Sequence, residues 1–332
     1  MRPVLLLFFL AGLSLNAQAQ DCPEPAQGPA DIKAQRFYTD AKGSVRDEAK
    51  VRENNESTRP LKNFATQVSK ASDRYLENGD KTAAACAIAW LDRWAQDRAM
   101  LGKMITVDND QPYYVRNWTH ASNSIAWNKV RMLASAEQRT RIDAWLKAVS
   151  QANLDYWSNP HKNRNNHFYW TGVGVLASAV ANGDTELLAE AKQIFNAGLT
   201  DIRDDGSLPN EMRRGSRALH YHVFSAMPLV MMAEMARKSG QDWFSLREAR
   251  LDLLVQRIAT GLRDPRWFEE HSGSSPQVTP APRDLSWFLL YRAHAPRVEH
   301  YEDVFATDSD SYVRDLGGTV ALLLKRDVFA AR

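Results

Sequence analysis

The stretch LKNFATQVSKASDRYLENGDKTAAACAIAWLDRWAQDRAM, residues 61–100, indicates the fold class most directly. In its first half, apolar residues recur at three- and four-residue steps, which is typical of one face of an α-helix. Asn78-Gly79 then provides a helix stop, and Asp80 is suited to cap a second helix. The stretch therefore predicts two helices joined by a tight turn, the first of them starting after Pro60.

The same turn chemistry occurs twice more in the chain. Asn182-Gly183-Asp184 separates predicted helices over 171–180 and 187–199, and Ser239–Asp242 separates two others. Further helical patterns cover 125–134, 139–154, 286–293 and 313–324. About ten helices arranged in pairs predict an all-α fold, an incomplete (α/α) barrel or toroid of paired antiparallel helices, with an open helical solenoid as the alternative.

Few segments outside these helices have a clear pattern. Residues 105–107 form a short strand signal, and residues 111–115 are more typical of a connection than of a strand. The polar segment before Pro60 shows no clean period. Within it, residues 38–46 resemble a loop with Gly43 at its turn, which we predict to be a lid, while a disordered N-terminal arm is the alternative.

The first 19 residues have the features of a secretory signal peptide. An apolar run at 4–15 follows a positive residue, and residues 17–19 have the small-x-small form of a cleavage site. The run is too short to span a bilayer, and Cys22 does not follow the small residues that a lipid anchor requires. We therefore expect export to the periplasm, no membrane anchor, and one catalytic domain over residues 20–332.

The chain contains only two cysteines, Cys22 and Cys86. In an oxidising compartment this pair could join the N-terminal arm to an early helix, and two separate thiols are the alternative. The formal net charge is +2, so the molecule as a whole does not attract a polyanion strongly, and nucleic acid is not expected as a partner. Local basic clusters would have to do so, and the sequence has two, at residues 161–164 and 213–217.

Residues 210–222, NEMRRGSRALHYH, carry more polar chemistry than a plain core helix needs. If the chain is helical from Arg214, then Arg214, Arg217 and Tyr221 fall within about 60° of one another, and the two histidines point elsewhere. Two guanidinium groups beside a phenol could hold a carboxylate and lower the cost of forming a phenolate. A solvated helix face with a half-buried tyrosine is the alternative.

A second cluster, NRNNHFYW at 163–170, opens the apolar helix predicted at 171–180. Asn165 or Asn166 is suited to be the N-cap, which places His167 in the first turn, near the positive helix end. That position disfavours imidazolium. A neutral histidine can accept a proton or form a hydrogen bond with a substrate.

Other polar residues suggest competing functions. Asp205 and Glu211 are carboxylates that a glycoside hydrolase would need, although turn formation and pairing with Arg213 or Arg214 are the roles that we assign to them. The rings of His220-x-His222 would point about 160° apart on a helix, so we assign no metal. A non-catalytic scaffold that binds a polyuronate during its export is the third hypothesis.

Five motifs resemble the mannuronate-specific alginate lyases of polysaccharide lyase family five. They are NNHFYW at 165–170, DGSLP at 205–209, RGSRALHYH at 214–222, YTDAKGS at 38–44 and DLSW at 284–287. The resemblance covers most of the mature chain. It implies an incomplete α/α barrel, a periplasmic enzyme that cleaves polymannuronate, and no cofactor or metal.

The resemblance also assigns catalytic roles to four residues. Cleavage by β-elimination removes the C5 proton of a uronate, whose carboxylate must first be neutralised. Asn166 and Arg214 are the expected neutralisers, Tyr221 the general acid and also a candidate base, and His167 either a neutraliser or the base.

Further residues are expected to bind the substrate. Tyr38 would close over the sugar from the lid, and Arg217 and Trp170 would support binding. The expected partner is alginate. We also expect a monomer and consider association with an alginate secretion apparatus.

Overall fold

The protein is described by a computed structural model over residues 22–107, 109–294, 301, 303–305, 311–325 and 328–330. The predicted signal peptide lies outside these residues. The α-helices are α1 Glu48–Asn78, α2 Lys81–Gln96, α3 Gln111–Val130, α4 Ala136–Trp157, α5 Asn166–Asn182, α6 Thr185–Asp201, α7 Pro209–Met212, α8 Ala218–Lys238, α9 Leu246–Arg263, α10 Arg266–Ser272, α11 Phe288–Arg292 and α12 Val320–Lys325. The short strands are β1 Ile32–Gln35, β2 Met104–Val107, β3 Tyr312–Val313 and β4 Gly318–Thr319.

The helices form an α/α toroid, as predicted. Helices α1, α3, α5 and α8 pack one against the next as an inner layer, and α2, α4, α6 and α9 each pack against the inner helix that precedes them in the chain. Side chains over 119–130 in α3, 168–179 in α5 and 225–236 in α8 are buried all round, because neighbours cover these helices on every side. The inner layer therefore provides a rigid frame whose helix ends can carry a site.

The turns that predicted the helix pairs are confirmed. Gly79 has a φ of 79° at the end of α1, and the Asp80 side chain accepts a hydrogen bond from the N–H of Ala83 at the start of α2. Gly183, with a φ of 70°, and Asp184 form the same arrangement between α5 and α6. Glycine is favoured at both positions because a left-handed backbone carries little steric cost without a Cβ.

The prediction that the first helix starts after Pro60 is wrong. Helix α1 begins at Glu48, where the Asp47 carboxylate accepts hydrogen bonds from the N–H groups of Ala49 and Lys50. Pro60 has no N–H to donate to the carbonyl of Glu56, four residues earlier. Glu56 is exposed, so water can solvate that carbonyl. Tertiary packing therefore outweighs the local cost of a proline.

Two other local predictions also fail. Residues 111–115 are the first turn of α3, where Pro112 needs no helical N–H partner, and not a connection. The predicted helix over 313–324 is a 3-10 turn at Arg314–Leu316, and the α-helix begins only at Val320, because Gly317 and Gly318, the first residue of β4, adopt positive φ.

The N-terminal arm is ordered from Cys22 onward. Cys22 and Cys86 form a disulfide that ties the arm to α2, with their Cα atoms 5.5 Å apart. The indole of Trp90 donates to the Pro23 carbonyl at 2.8 Å, and β1 pairs in parallel with β2. These contacts hold the arm in place and so fix the position of the segment that follows β1. No helix in the described ranges is both long and apolar enough to cross a membrane.

Candidate active site

A cavity of about 570 Å³ lies where three inner helices, α3, α5 and α8, begin. Helix N-termini carry partial positive charge, which favours an anionic ligand. The cavity has four cationic side chains and, among the described residues that line it, no carboxylate. Its lining is Arg36, Phe37, Tyr38, Ala41, Lys42, Gly43, Asn109, Gln111, Tyr114, Trp118, Asn163, Asn165, His167, Asn210, Arg213, Arg214, Tyr221 and Phe224.

The start of α5 positions His167. Asn165 is the N-cap, and its side chain accepts the N–H of His167 at 3.0 Å. The imidazole lies flat on the Tyr114 ring, with the two ring centroids 3.6 Å apart and the planes 3° from parallel. Burial, together with the charge of Arg214, lowers the pKa of His167 to about 3. The ring is therefore neutral at physiological pH, as the sequence predicts, and its buried Nδ1 has no hydrogen-bond partner in the described part of the chain.

The opposite wall is formed by the segment that leads into α8. Gly215, with a φ of 57°, starts a 3-10 turn, and the α-helix begins only at Ala218. The predicted continuous helix from Arg214 is therefore wrong. Arg214 and Tyr221 still meet, because the turn folds the guanidinium back until its carbon lies 3.6 Å from the centroid of the Tyr221 ring.

Tyr221 contacts a charge on one side and a phenol on the other. Burial raises the pKa of Tyr221 well above its ordinary value, and the Arg214 guanidinium opposes that increase. The Tyr221 oxygen lies 2.6 Å from the oxygen of Tyr38. The phenol is therefore protonated in the resting protein, as a general acid must be, and Arg214 is the group that would stabilise its anion.

The lid loop, residues 38–46, folds over this pair. Burial alone would raise the pKa of Asp40, but hydrogen bonds from Ser44 and from the N–H of Val45 lower it to about 2, so an ionised carboxylate organises the loop. The Arg214 guanidinium donates to the Gly43 carbonyl at 2.9 Å, which joins the loop to the opposite wall. The structure thus places Tyr38 over the cavity, where a lid residue is expected.

Two predicted substrate-binding residues occupy other positions. Trp170 is completely buried against Phe224 and does not line the cavity, since α5 has turned its side chain into the core by that residue. Its assignment to direct substrate contact is therefore wrong. Arg217 donates from Nε to the Ser44 carbonyl at 3.0 Å, so it holds the lid loop and does not line the cavity either.

Asn166 is not part of the cavity lining, although its neighbours Asn165 and His167 are. Its side chain is fully buried, and both its main-chain N–H and its Nδ2 donate to Oε1 of Glu211 at 3.0 Å. The sequence instead assigned Glu211 to pairing with Arg213 or Arg214, and no such ion pair is present among the described residues. The Asn166 amide takes the place at the Glu211 carboxylate that we expected for an arginine. The two residues are 45 positions apart, so their contact could not be predicted from the sequence.

The residues considered for a glycoside hydrolase or a metal site do not line the cavity. Asp205 accepts the N–H of Ser207 at 2.8 Å in a turn, and Glu211 is 1% exposed, so neither carboxylate can flank a bound sugar. His222 is fully buried, with its Nε2 accepting the N–H of Leu208 and its Nδ1 donating to the Ala218 carbonyl. Both nitrogens of His222 are therefore occupied.

Tyr114 and Trp118 were missed as site residues. They line the cavity from α3, and their i, i+4 spacing places them on one helix face. The signal was present in the sequence, but the segment before Val115 was interpreted as a connection. Once 111–130 is known to be a helix, the pair points to an aromatic wall beside His167.

Comparison with known proteins identifies the family of this chain. A family model for alginate lyase matches residues 31–268. A polysaccharide lyase from Stenotrophomonas maltophilia (strain K279a) is 47% identical over 296 residues, which are 89% of this chain and 88% of the relative. An alginate lyase from Azotobacter vinelandii is 31% identical over 262 residues, which are 77% of this chain and 69% of the relative.

Solved structures share the fold. Alginate lyase A1-III from Sphingomonas species A1 superposes with a TM-score of 0.76 at 23% identity, over 92% of this chain and 86% of that one. A variant of alginate lyase A1-III complexed with a tetrasaccharide gives a TM-score of 0.78 at 23% identity, over 91% and 84%. The toroid is the fold that these structures share, and the family model and the relatives assign the chain to the polysaccharide lyases. More specifically, the chain belongs to the alginate lyase family.

Proposed function

We propose that this protein is a periplasmic poly(β-D-mannuronate) lyase, which cleaves the mannuronate chains of alginate by β-elimination. The observation that carries the proposal is the charge of the cavity. Arg36, Lys42, Arg213 and Arg214 line it, and no described lining residue is acidic. Such a cavity favours a polymer with one carboxylate per sugar and disfavours a hydrolase, which needs two carboxylates of its own.

The first requirement of the reaction is neutralisation of the substrate carboxylate. The C5 proton of a uronate becomes acidic enough to remove only when positive or hydrogen-bonding groups stabilise the charge that develops on that carboxylate. Arg214 is suited to this role because its buried Nε has no partner among the described residues. Asn166 is the second proposed neutraliser. Its amide is buried outside the cavity lining in this structure, and Nδ2, which donates to Glu211, has a second hydrogen to offer.

The second requirement is a proton acceptor and a proton donor. The C5–H bond breaks and its proton passes to neutral His167, or to Tyr221 if the phenol has first lost its own proton to solvent. The electron pair forms the C4–C5 double bond, and the C4–O4 bond breaks. The departing O4 then takes a proton from the Tyr221 phenol. The protonated state of Tyr221 supports its role as the acid, and the neutral state of His167 supports its role as a base. The base role of Tyr221 requires its phenolate, which the Arg214 guanidinium would stabilise.

The preference for mannuronate rests on stereochemistry. In mannuronate the C5 proton and O4 lie on the same side of the ring, so one group can serve both of them. Tyr221 is suited to do so because its ring is held between Arg214 and Tyr38. In that case His167, on the opposite wall, would bind the carboxylate. If Tyr221 serves only as the acid, His167 would be the base.

The proposed location follows from the N-terminus. Residues 1–19 have signal-peptide features, and the disulfide between Cys22 and Cys86 suits an oxidising compartment. Osmotic-shock fractionation should release the protein with the periplasmic contents, and mass spectrometry should give an N-terminus at Gln20. Retention in the cytoplasm with Met1 intact would exclude this location.

The experiment that tests the activity is incubation with polymannuronate and, separately, with polyguluronate in the presence of a chelator. We expect the ultraviolet absorbance of the new conjugated double bond to increase faster with polymannuronate. Reducing ends without this absorbance would indicate a hydrolase. Binding without either product would indicate a scaffold, and equal rates on the two polymers would contradict the proposed preference.

A further inference from the structure

We propose that Glu211 is a positioning residue that holds the two halves of the active site in register. This inference rests on the proposed function, in which His167 and Asn166 act together with Arg214 and Tyr221. The two pairs lie on different segments of the chain. Some group must therefore fix the start of α5 against the segment that leads into α8.

The side chain of Glu211 contacts the first half. The first N–H groups of a helix have no partner within the helix. At the start of α5, Asn165 takes the N–H of His167, whereas the N–H of Asn166 is taken by Oε1 of Glu211, 45 residues further along the chain. The same oxygen accepts Nδ2 of Asn166, so the orientation of that amide is fixed as well.

The main chain of Glu211 contacts the second half. Its carbonyl accepts the N–H of Arg214 at 3.0 Å. One residue on α7 therefore joins the helix start that carries His167 to the segment that carries Arg214. Hydrogen bonds to a carboxylate are stronger than those between neutral groups, and negative charge is favoured at a helix N-terminus.

The position of Glu211 does not suit proton transfer to the substrate. The residue is 1% exposed and lies outside the cavity lining. Burial raises the pKa of Glu211, whereas Arg214 and the bonds from Asn166 lower it, so the contacts that position Asn166 also favour the ionised form. Oε2 of Glu211 has no partner in the described part of the chain, where both side-chain hydrogen bonds of Glu211 go through Oε1 to Asn166.

Three variants separate positioning from other roles. Glu211→Met keeps the length of the side chain but removes both acceptors. Glu211→Gln removes the charge and keeps an oxygen that can accept from Asn166. Asp201→Asn is the control, since Asp201 is a half-buried carboxylate that accepts from the Tyr169 hydroxyl, at 2.7 Å, and not from a site residue.

We expect Glu211→Met to lower kcat on polymannuronate about 10²-fold, because small displacements of catalytic groups have effects of this size. Glu211→Gln should stay within about threefold of wild type, because its amide oxygen keeps both bonds. Asp201→Asn should also keep its kcat. The proposal would be overturned if Glu211→Met were fully active, or if Glu211→Gln were as impaired as Glu211→Met. If Glu211→Met does not fold, a loss of more than about tenfold in Glu211→Gln would overturn it.

A second measurement does not depend on activity. Hydrogen exchange of the Asn166 main-chain N–H should be slow in wild type and in Glu211→Gln, and clearly faster in Glu211→Met. Unchanged exchange in Glu211→Met would overturn the proposal. If wild type forms no unsaturated product, the proposed function fails, whereas this exchange experiment still tests whether Glu211 fixes the start of α5.

Discussion

The phenolic oxygens of Tyr38 and Tyr221 lie 2.6 Å apart, although 183 residues separate them in the sequence. One belongs to the lid loop and the other to the first turn of α8. Their contact means that the lid touches the proposed general acid directly. Movements of the lid and the protonation of Tyr221 should therefore depend on each other.

Replacement of Tyr38 by phenylalanine removes this hydrogen bond and keeps the ring. Because a hydrogen bond contributes about 1 kcal/mol, we expect kcat/KM to fall about five- to tenfold. Tyr113→Phe is the control, because Tyr113 stacks on Tyr156 outside the cavity lining. Steady-state kinetics on polymannuronate measure both variants. Equal effects of the two would show that the contact with Tyr221 has no special role.

Gly43→Ala should disturb the contact between the lid and Arg214. Gly43 has a φ of 67°, and a Cβ there would lie 2.7 Å from Nη2 of Arg214, so the guanidinium must move. We expect kcat/KM to fall by more than about tenfold, since Arg214 is a proposed neutraliser.

Gly79→Ala provides the matched control for this prediction. Gly79 also has a positive φ, 79°, but its Cβ would meet nothing within 4 Å. The variant should lose about 1–2 kcal/mol of stability in urea unfolding, because alanine is strained in a left-handed conformation, and keep its kinetics. Normal kinetics in Gly43→Ala would show that the lid does not position Arg214.

Acid should destabilise the fold through its buried histidines. Burial lowers the pKa of His120 to about 3 and that of His222 to about 4, so each binds its proton more readily in the unfolded chain than in the folded one. The stability that this provides is fully present above the unfolded pKa of about 6.5 and is lost as the pH falls towards the folded pKa. Each of these histidines should contribute a slope of about 1.4 kcal/mol per pH unit in that window.

Urea unfolding between pH 7 and pH 5 measures this slope. His120→Gln should reduce it by the contribution of one histidine. His161→Gln, the same substitution at an exposed position, is the matched control and should leave the slope unchanged. The account of His120 would fail if both variants kept the slope of wild type.

The sequence predicted the parts of the site that depend on local chemistry. An N-cap at Asn165 or Asn166 and His167 in the first turn follow from which residues can satisfy free N–H groups. The structure confirms this position of His167 and has Asn165 as the N-cap. The turns at Gly79 and Gly183 follow from backbone sterics. These predictions succeeded because each one needs only a few neighbouring residues.

Features that depend on distant contacts could not be predicted in this way. The partner of Glu211 is Asn166, 45 residues earlier, and the burial of Trp170 depends on Phe224. Helix α3 carries many buried polar side chains, among them His120, so its apolar period is weak, and the sequence predicted this helix only from residue 125 onward. Packing in the inner layer, which compensates for these polar groups, becomes visible only in three dimensions.

The most direct test of the proposed mechanism is the initial rate of ultraviolet absorbance increase on polymannuronate, measured with chelator for wild type and Tyr221→Phe. We expect steady product formation by wild type and a rate at least about 10²-fold lower for Tyr221→Phe, with oligosaccharide binding largely unchanged, because only the proton-transferring oxygen is lost. A Tyr221→Phe variant that turns over like wild type would contradict the assignment of Tyr221, and no absorbance from wild type would contradict the lyase mechanism itself.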